Sequence, residues 1–80
     1  MNNLEKYDSV IRRVFDFDND VDLKKEVVRN NCAAWDSFLH ITFVAELEDE
    51  FMIMLDTDDI LSLDSYESGI EVLKKNGIEF

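Results

Sequence analysis

The chain contains few or none of several residue types that define common classes of small protein. Its 80 residues include no proline, two glycines and one cysteine, and they contain no long apolar run. A single cysteine cannot form an internal disulfide, and we find no signal peptide or apolar span, so the sequence indicates a soluble, cytoplasmic protein with no membrane contact. A chain of this length supports one modest core, and we expect a single domain over residues 1–80.

Basic residues are scarce as well. Eight Lys and Arg residues stand against 19 Asp and Glu residues, which gives a net charge of −11. Nucleic-acid binding normally requires a basic patch, so nucleic acid is not an expected partner. Residues 1–36 contain eight acidic and six basic side chains, whereas residues 37–80 contain eleven and two. The acidic second half should attract a protein with a basic surface.

Apolar residues make up 46 % of the chain and follow a helical period over much of it. Their spacing predicts four helices, over residues 4–15, 37–51, 57–62 and from the Ser65 N-cap to Lys75. Three of them are principal helices, and the third in chain order is short. Residues 16–36 have no regular period, and we expect a long first loop that wraps the core, with room for a short turn of helix. The predicted fold is all-α, a four-helix bundle.

The ends and the core of these helices follow from the same pattern. The short third helix should start at Asp56 or Thr57, while Asn76 and Gly77 should stop the fourth. The side chains expected in the core are those of Leu4, Tyr7, Ile11, Val14, Phe43, Leu47, Phe51, Leu55, Ile60, Leu61 and Leu73, with Val21, Leu23, Val27 and Trp35 contributed by the loop.

The predicted second helix has two different faces. At about 100° per residue, one side is an apolar stripe that should face the core, formed by His40, Phe43, Val44, Leu47 and Phe51. The opposite side mixes polar and apolar residues, namely Thr42, Glu46, Asp49, Phe38, Ala45 and, at its margins, Ile41, Glu48 and Glu50. An exposed Phe surrounded by carboxylates is typical of a docking surface. The alternative is that the long loop covers Phe38.

Asp36 and Ser37 stand where this helix begins. Asp36 is a favourable N-cap, because its side chain can accept a backbone N–H of the first turn. Ser37 should then lie in the first turn, exposed at the positive end of the helix dipole. No catalytic triad accompanies the serine, since the only histidine, His40, falls on the core side. We expect His40 to be packed and hydrogen-bonded, with proton transfer as the alternative.

Two other features have ordinary explanations. Acidic residues alternate from Asp16 to Asp22, like the start of an EF-hand loop, but neither possible register places Gly and Glu where calcium binding needs them. We therefore expect a solvated acidic loop and no metal site. Cys32 has no neighbouring histidine and no second cysteine, so we expect a small buried side chain.

A run of residues from Trp35 to about Lys75 resembles a known family. Asp36-Ser37-Phe38 resembles the Asp-Ser-Leu motif at which acyl carrier proteins and peptidyl carrier domains receive 4′-phosphopantetheine on the serine. The segment 47–51, Leu-Glu-Asp-Glu-Phe, is similar to the end of the family's second helix. A Trp before the motif and a His three residues after the serine are similar to stand-alone carriers. Phe38 replaces the usual Leu, and Met52 stands where a Gly is common.

The resemblance implies a carrier domain and not an enzyme. Ser37 would bear 4′-phosphopantetheine, which makes the chain a phosphoprotein, and the arm would hold an acyl or aminoacyl group as a thioester for biosynthetic enzymes. Asp36 would help the transferase to hold Mg²⁺ and to orient the serine. The residues expected to contact partners are Phe38, Ile41, Glu46, Glu48 and Asp49.

The expected partners are a phosphopantetheinyl transferase, an acyl- or aminoacyl-activating ligase, and acyl-accepting enzymes with basic docking surfaces. The carrier itself should be a monomer. One function from another class stays open, an acidic helical interaction module that is never modified. Modification of Ser37 distinguishes the two.

Overall fold

The computed structural model describes residues 2–29 and 35–80. Within these ranges the chain forms five helices and no strand: α1 Asn3–Phe15, α2 Leu23–Glu26, α3 Ser37–Phe51, α4 Thr57–Ser62 and α5 Tyr66–Lys75. The all-α class is confirmed, and α2 is the short turn of helix in the predicted long loop. No helix in the described part of the chain is both long enough and apolar enough to cross a membrane.

The main packing interface lies between α1 and α3. The apolar face of α1 buries Tyr7, Val10, Ile11 and Phe15, and α3 buries the predicted stripe of His40, Phe43, Val44, Leu47 and Phe51. At one end of this interface the Phe15 ring lies 5.0 Å from the Trp35 ring and 5.3 Å from the Phe43 ring, both edge-to-face. Such aromatic pairs add to the hydrophobic gain of burial. The cluster supports the end of the bundle at which α3 begins.

The long loop is attached to the bundle at both of its described ends. The Arg12 guanidinium donates hydrogen bonds to the backbone carbonyls of Asp18 and Val21. Farther along, the Val27 carbonyl accepts the Tyr66 N–H at 2.8 Å, and Val27 itself is fully buried. The loop therefore wraps the core as predicted, with Leu23 and Trp35 also buried and Val21 half-buried. The prediction for Cys32 lies outside the described residues.

Two residues predicted in the core are exposed. Leu61 is 75 % exposed and Leu4 is 41 % exposed, while Leu63, just after α4, is fully buried. The inward side of α4 is occupied by Asp59, whose carboxylate is held by α5, and this rotates Leu61 outward. Leu4 lies in the first turn of α1, where it borders a shallow depression with Phe80 instead of the core.

The buried carboxylate of Asp59 links α4 to the end of α5 through hydrogen bonds. It accepts hydrogen bonds from Lys75 Nζ at 2.8 Å and from Asn76 Nδ2 at 3.1 Å. The hydrogen bond from Lys75, followed by that from Asn76, lowers the pKa of Asp59 below its usual range. A carboxylate whose pKa is lowered by folding stabilises the native state above its ordinary pKa and loses that contribution in acid.

We predict that Asp59→Asn lowers the free energy of unfolding at pH 7, because it removes the ion pair with Lys75. The deficit should shrink as the pH falls below about 4, because the unfolded chain then takes up a proton at Asp59 while the native carboxylate, with its lowered pKa, is still ionised. Urea titrations between pH 7 and pH 3 measure this difference. Asp58→Asn is the matched control, because Asp58 is exposed, and a constant deficit for Asp59→Asn across the pH range would contradict the prediction.

Close approach of α1 and α5 requires the glycine at position 69. Tyr7 is fully buried, and its hydroxyl donates a hydrogen bond to the Tyr66 carbonyl at 2.7 Å. A Cβ atom on Gly69 would lie 2.0 Å from the Tyr7 Oη and 2.9 Å from its Cζ. Since the Tyr7 ring is enclosed on all sides, it cannot move aside without breaking that hydrogen bond.

We expect Gly69→Ala to destabilise the protein by about 2 kcal/mol, because the overpacking cost exceeds the gain of roughly 1 kcal/mol in helix propensity. Thermal and urea unfolding measure the loss. In a Tyr7→Phe background, which lacks the Oη atom, the same substitution should cost less. Equal costs in both backgrounds would show that contact with the Tyr7 hydroxyl is not the cause.

Candidate functional site

The start of α3 is capped by Asp36. The backbone of Asp36 is extended, and its Oδ1 accepts the Leu39 N–H at 2.9 Å while its carbonyl accepts the His40 N–H at 2.9 Å. Ser37 is the first residue of the helix and is exposed to solvent. The first turn contains no acidic residue beyond the cap. The serine hydroxyl is thus open to a reagent from outside.

Two backbone N–H groups at this helix start have no hydrogen-bond partner among the described residues. They belong to Ser37 and Phe38, because the first N–H groups of a helix have no carbonyl of an earlier turn to bind. Asp36 accepts the next two, those of Leu39 and His40. Unpaired N–H groups at a helix N-terminus carry partial positive charge and favour a phosphate. The feature alone is common to many helices, and it matters here because an exposed hydroxyl lies beside it.

His40 connects the start of α3 to its surroundings. The Trp35 indole Nε1–H donates to His40 Nδ1 at 3.0 Å, and His40 Nε2 lies 2.8 Å from the Ile60 carbonyl oxygen. An indole nitrogen can only donate, so Nδ1 must be the acceptor and Nε2 must carry the proton that reaches Ile60. Both ring nitrogens are therefore occupied within the core. This geometry agrees with the packed role expected for His40.

The residues that follow Ser37 display apolar surface. Phe38 is 81 % exposed, so the described part of the long loop does not cover it. Ile41 and Ala45, on the same side of α3, are also exposed. Phe38 and Ile41 thus form a small apolar surface close to the serine hydroxyl. The exposed Leu61 lies nearby on α4, because the hydrogen bond between His40 and Ile60 holds α4 against the first turn of α3.

The three predicted partner-binding carboxylates differ from one another in the structure. Asp49 is exposed, but Glu46 Oε2 lies 2.8 Å from an Arg13 guanidinium nitrogen, and Glu48 Oε2 accepts the Leu55 N–H at 2.9 Å. Helix packing explains the first pair, since α1 lies beside α3. The chain reversal after α3 explains the second. The sequence does not distinguish the three carboxylates, because the spacing within α3 carries no information about Arg13.

We predict that Asp36→Ala lowers the free energy of unfolding by about 1 kcal/mol, the usual effect of losing an N-cap. Asp36→Ser should retain most of the stability, because a serine hydroxyl can accept the same Leu39 N–H. Chemical denaturation of the two variants and the native chain measures the difference. If serine is as destabilising as alanine, the carboxylate contributes through its charge and not through the cap.

Similarity to known proteins adds no further constraint on this site. A scan against protein-family models and searches of curated proteins and of solved structures each find no match. The residues at the start of α3 and the motif that they resemble are therefore the features that point to a function.

Proposed function

We propose that the chain is an acyl carrier protein whose Ser37 hydroxyl receives 4′-phosphopantetheine. One observation carries the proposal. Ser37 is exposed at the first residue of α3, between a capping Asp36 and an exposed Phe38. This is the arrangement in which a modifying enzyme can reach the hydroxyl while the helix itself stays folded.

The residues at this position fit a phosphodiester. The N–H groups of Ser37 and Phe38 would hold its oxygens at the positive end of α3, and the turn offers no acidic side chain after the cap to repel them. Asp36 uses Oδ1 for the cap, so its second oxygen can contact a Mg²⁺ ion held by the transferase. The two expected roles of Asp36 are therefore compatible.

The chain presents its cargo and does not act on it. When 4′-phosphopantetheine is bound, its terminal thiol supplies the group that carries an acyl or aminoacyl residue as a thioester. His40 lies one turn from Ser37, but both of its nitrogens are engaged with Trp35 and Ile60. The base that removes the Ser37 proton must then come from the transferase, which supports a substrate role for this protein.

Partner enzymes would dock beside the serine. Phe38 and Ile41 supply a small apolar contact, and Asp49 supplies an exposed charge on the same helix. Brief encounters suit a carrier that must be released after each transfer, and acidic residues speed encounters with basic docking surfaces. The partners we propose are the transferase, an acyl- or aminoacyl-activating ligase and acyl-accepting enzymes, with the carrier acting as a cytoplasmic monomer.

We predict that co-expression with a broad-specificity phosphopantetheinyl transferase adds the mass of one phosphopantetheine group to the intact protein. Ser37→Ala should abolish the gain, whereas Ser62→Ala should retain it, because Ser62 is an exposed serine outside the motif. Intact-mass spectrometry reads the result. A native chain that is never modified would instead favour the unmodified interaction module, which keeps the same fold and acidic surface.

We also predict that charge on α3 sets the rate at which the transferase associates. Asp49→Lys should slow modification at low salt and weaken its salt dependence, because exposed charges act over roughly 8–10 Å near physiological ionic strength. Glu71→Lys is the matched control, since it makes the same charge change at an exposed position of α5. Glu46→Lys is a poor test, because it also breaks the ion pair with Arg13. Equal rates for the Asp49 and Glu71 variants would place docking elsewhere.

A further inference from the structure

A groove of about 310 Å³ lies between the long loop and the turn that joins α4 to α5. It is lined by Val28, Arg29, Leu61, Asp64 and Ser65. Its volume is at the lower end of the range for small-molecule sites, and a helix with its side chains is about 10 Å wide. The groove therefore suits a thin, flexible molecule better than a helix of a partner protein.

Backbone pairing holds the two walls of the groove together. Val28 and Ser65 form an antiparallel bridge, and beside it the Arg29 N–H donates a hydrogen bond to the Asp64 carbonyl at 2.9 Å. The walls are thus fixed by the main chain. The side chains that line the groove remain available to a ligand.

The lining offers apolar contact, hydrogen-bond donors and hydrogen-bond acceptors. Leu61 is exposed and Val28 is half-buried, which gives the groove an apolar stretch. Arg29 and Asp64 are exposed, and neither forms an ion pair within residues 2–29 and 35–80. A guanidinium only donates hydrogen bonds, and an ionised carboxylate only accepts them. A ligand that uses the whole lining therefore carries N–H and C=O groups next to apolar carbons.

The arm of 4′-phosphopantetheine has this chemistry. Between its phosphate and its thiol it contains two amides, a hydroxyl and a pair of methyl groups on one carbon. The amide carbonyls can accept hydrogen bonds from Arg29, the amide N–H groups can donate to Asp64, and the methyl groups can pack on Leu61.

The groove lies within reach of Ser37. His40 is one helical turn from Ser37, and its Nε2 lies 2.8 Å from the carbonyl oxygen of Ile60, the residue before Leu61. The path from Ser37 to the groove thus consists of a turn of about 5 Å, one imidazole side chain and one hydrogen bond. An arm of about 14 bonds spans about 16 Å when extended, like a backbone with the same number of bonds. Attachment at Ser37 also raises the local concentration of the arm, so weak contacts suffice to hold it.

We propose that the groove of Val28, Arg29, Leu61 and Asp64 is the resting site of the arm between transfers. Arg29 and Asp64 bind its amides, and Leu61 contacts its methyl groups. These contacts are open to solvent and individually weak, so a partner enzyme can withdraw the arm. The inference rests on the proposed function, because only modification of Ser37 brings the arm to the protein.

Nuclear magnetic resonance of the modified protein tests this site. The broad-specificity transferase attaches a ¹³C- and ¹⁵N-labelled arm to the unlabelled chain, and intact mass measures the loading. We expect isotope-filtered nuclear Overhauser effects between the arm methyl groups and the side chains of Leu61 and Val28. The amide shifts of the arm should also differ from those of free phosphopantetheine.

Variants of the lining should release the arm. Arg29→Ala and Leu61→Ala should each lower the ratio of docked to free arm by about fivefold, through loss of a hydrogen bond or of apolar contact. Lys25→Ala and Met54→Ala are the matched controls, because both side chains are exposed and lie outside the groove. They should leave the arm signals unchanged.

Two results would overturn the inference and leave the carrier function intact. One is a loaded protein whose arm signals match free phosphopantetheine or whose arm contacts residues outside the groove. The other is an equal effect of Arg29→Ala and Lys25→Ala, since positive charge in general would then attract the arm. If intact mass shows no loading, the carrier proposal itself fails and this inference fails with it, so the two failures are told apart.

Discussion

The hydrogen-bonded bridge from Trp35 through His40 to Ile60 holds together the end of the molecule where α3 begins. It joins the long loop, the first turn of α3 and the last turn of α4 by two short contacts to one imidazole. A buried imidazole with only one partner would leave a polar atom unsatisfied, which costs free energy, so the three segments are ordered together. The exposed position of Ser37 depends on this arrangement, because the buried His40 fixes which side of the helix faces solvent.

The remaining surface of α3 follows from the same orientation. With the stripe around Phe43 and Leu47 facing α1, the outward side must carry Phe38, Ile41 and Asp49. Two of its carboxylates are engaged within the protein. Glu46 pairs with Arg13 of α1, and Glu48 accepts the Leu55 N–H in the chain reversal after α3. Fewer free charges therefore remain on this surface than the number of carboxylates suggests, and Asp49 is the exposed carboxylate of α3.

Much of this arrangement could be predicted from the sequence, because long helices bury a regular stripe. The bounds of α3 and the cap at Asp36 follow from periodicity and from one side-chain type. The prediction was wrong for Leu61, since a helix of six residues has fewer than two turns and its period cannot identify the buried side. There the ion pair of Asp59 with a lysine 16 residues away decides the orientation. The pairing of Glu46 with Arg13 likewise depends on how two helices are rotated against each other, which neither helix encodes alone.

The chemical state of Ser37 in the protein isolated from its own cell tests the central claim most directly. Cleavage after glutamates releases residues 27–46, a fragment in which Ser37 is the only serine. Fragmentation mass spectrometry of this peptide should find 4′-phosphopantetheine on Ser37, with or without an acyl or aminoacyl group on its thiol. Recovery of the peptide in the unmodified form alone, from cells that contain an active phosphopantetheinyl transferase, would contradict the account.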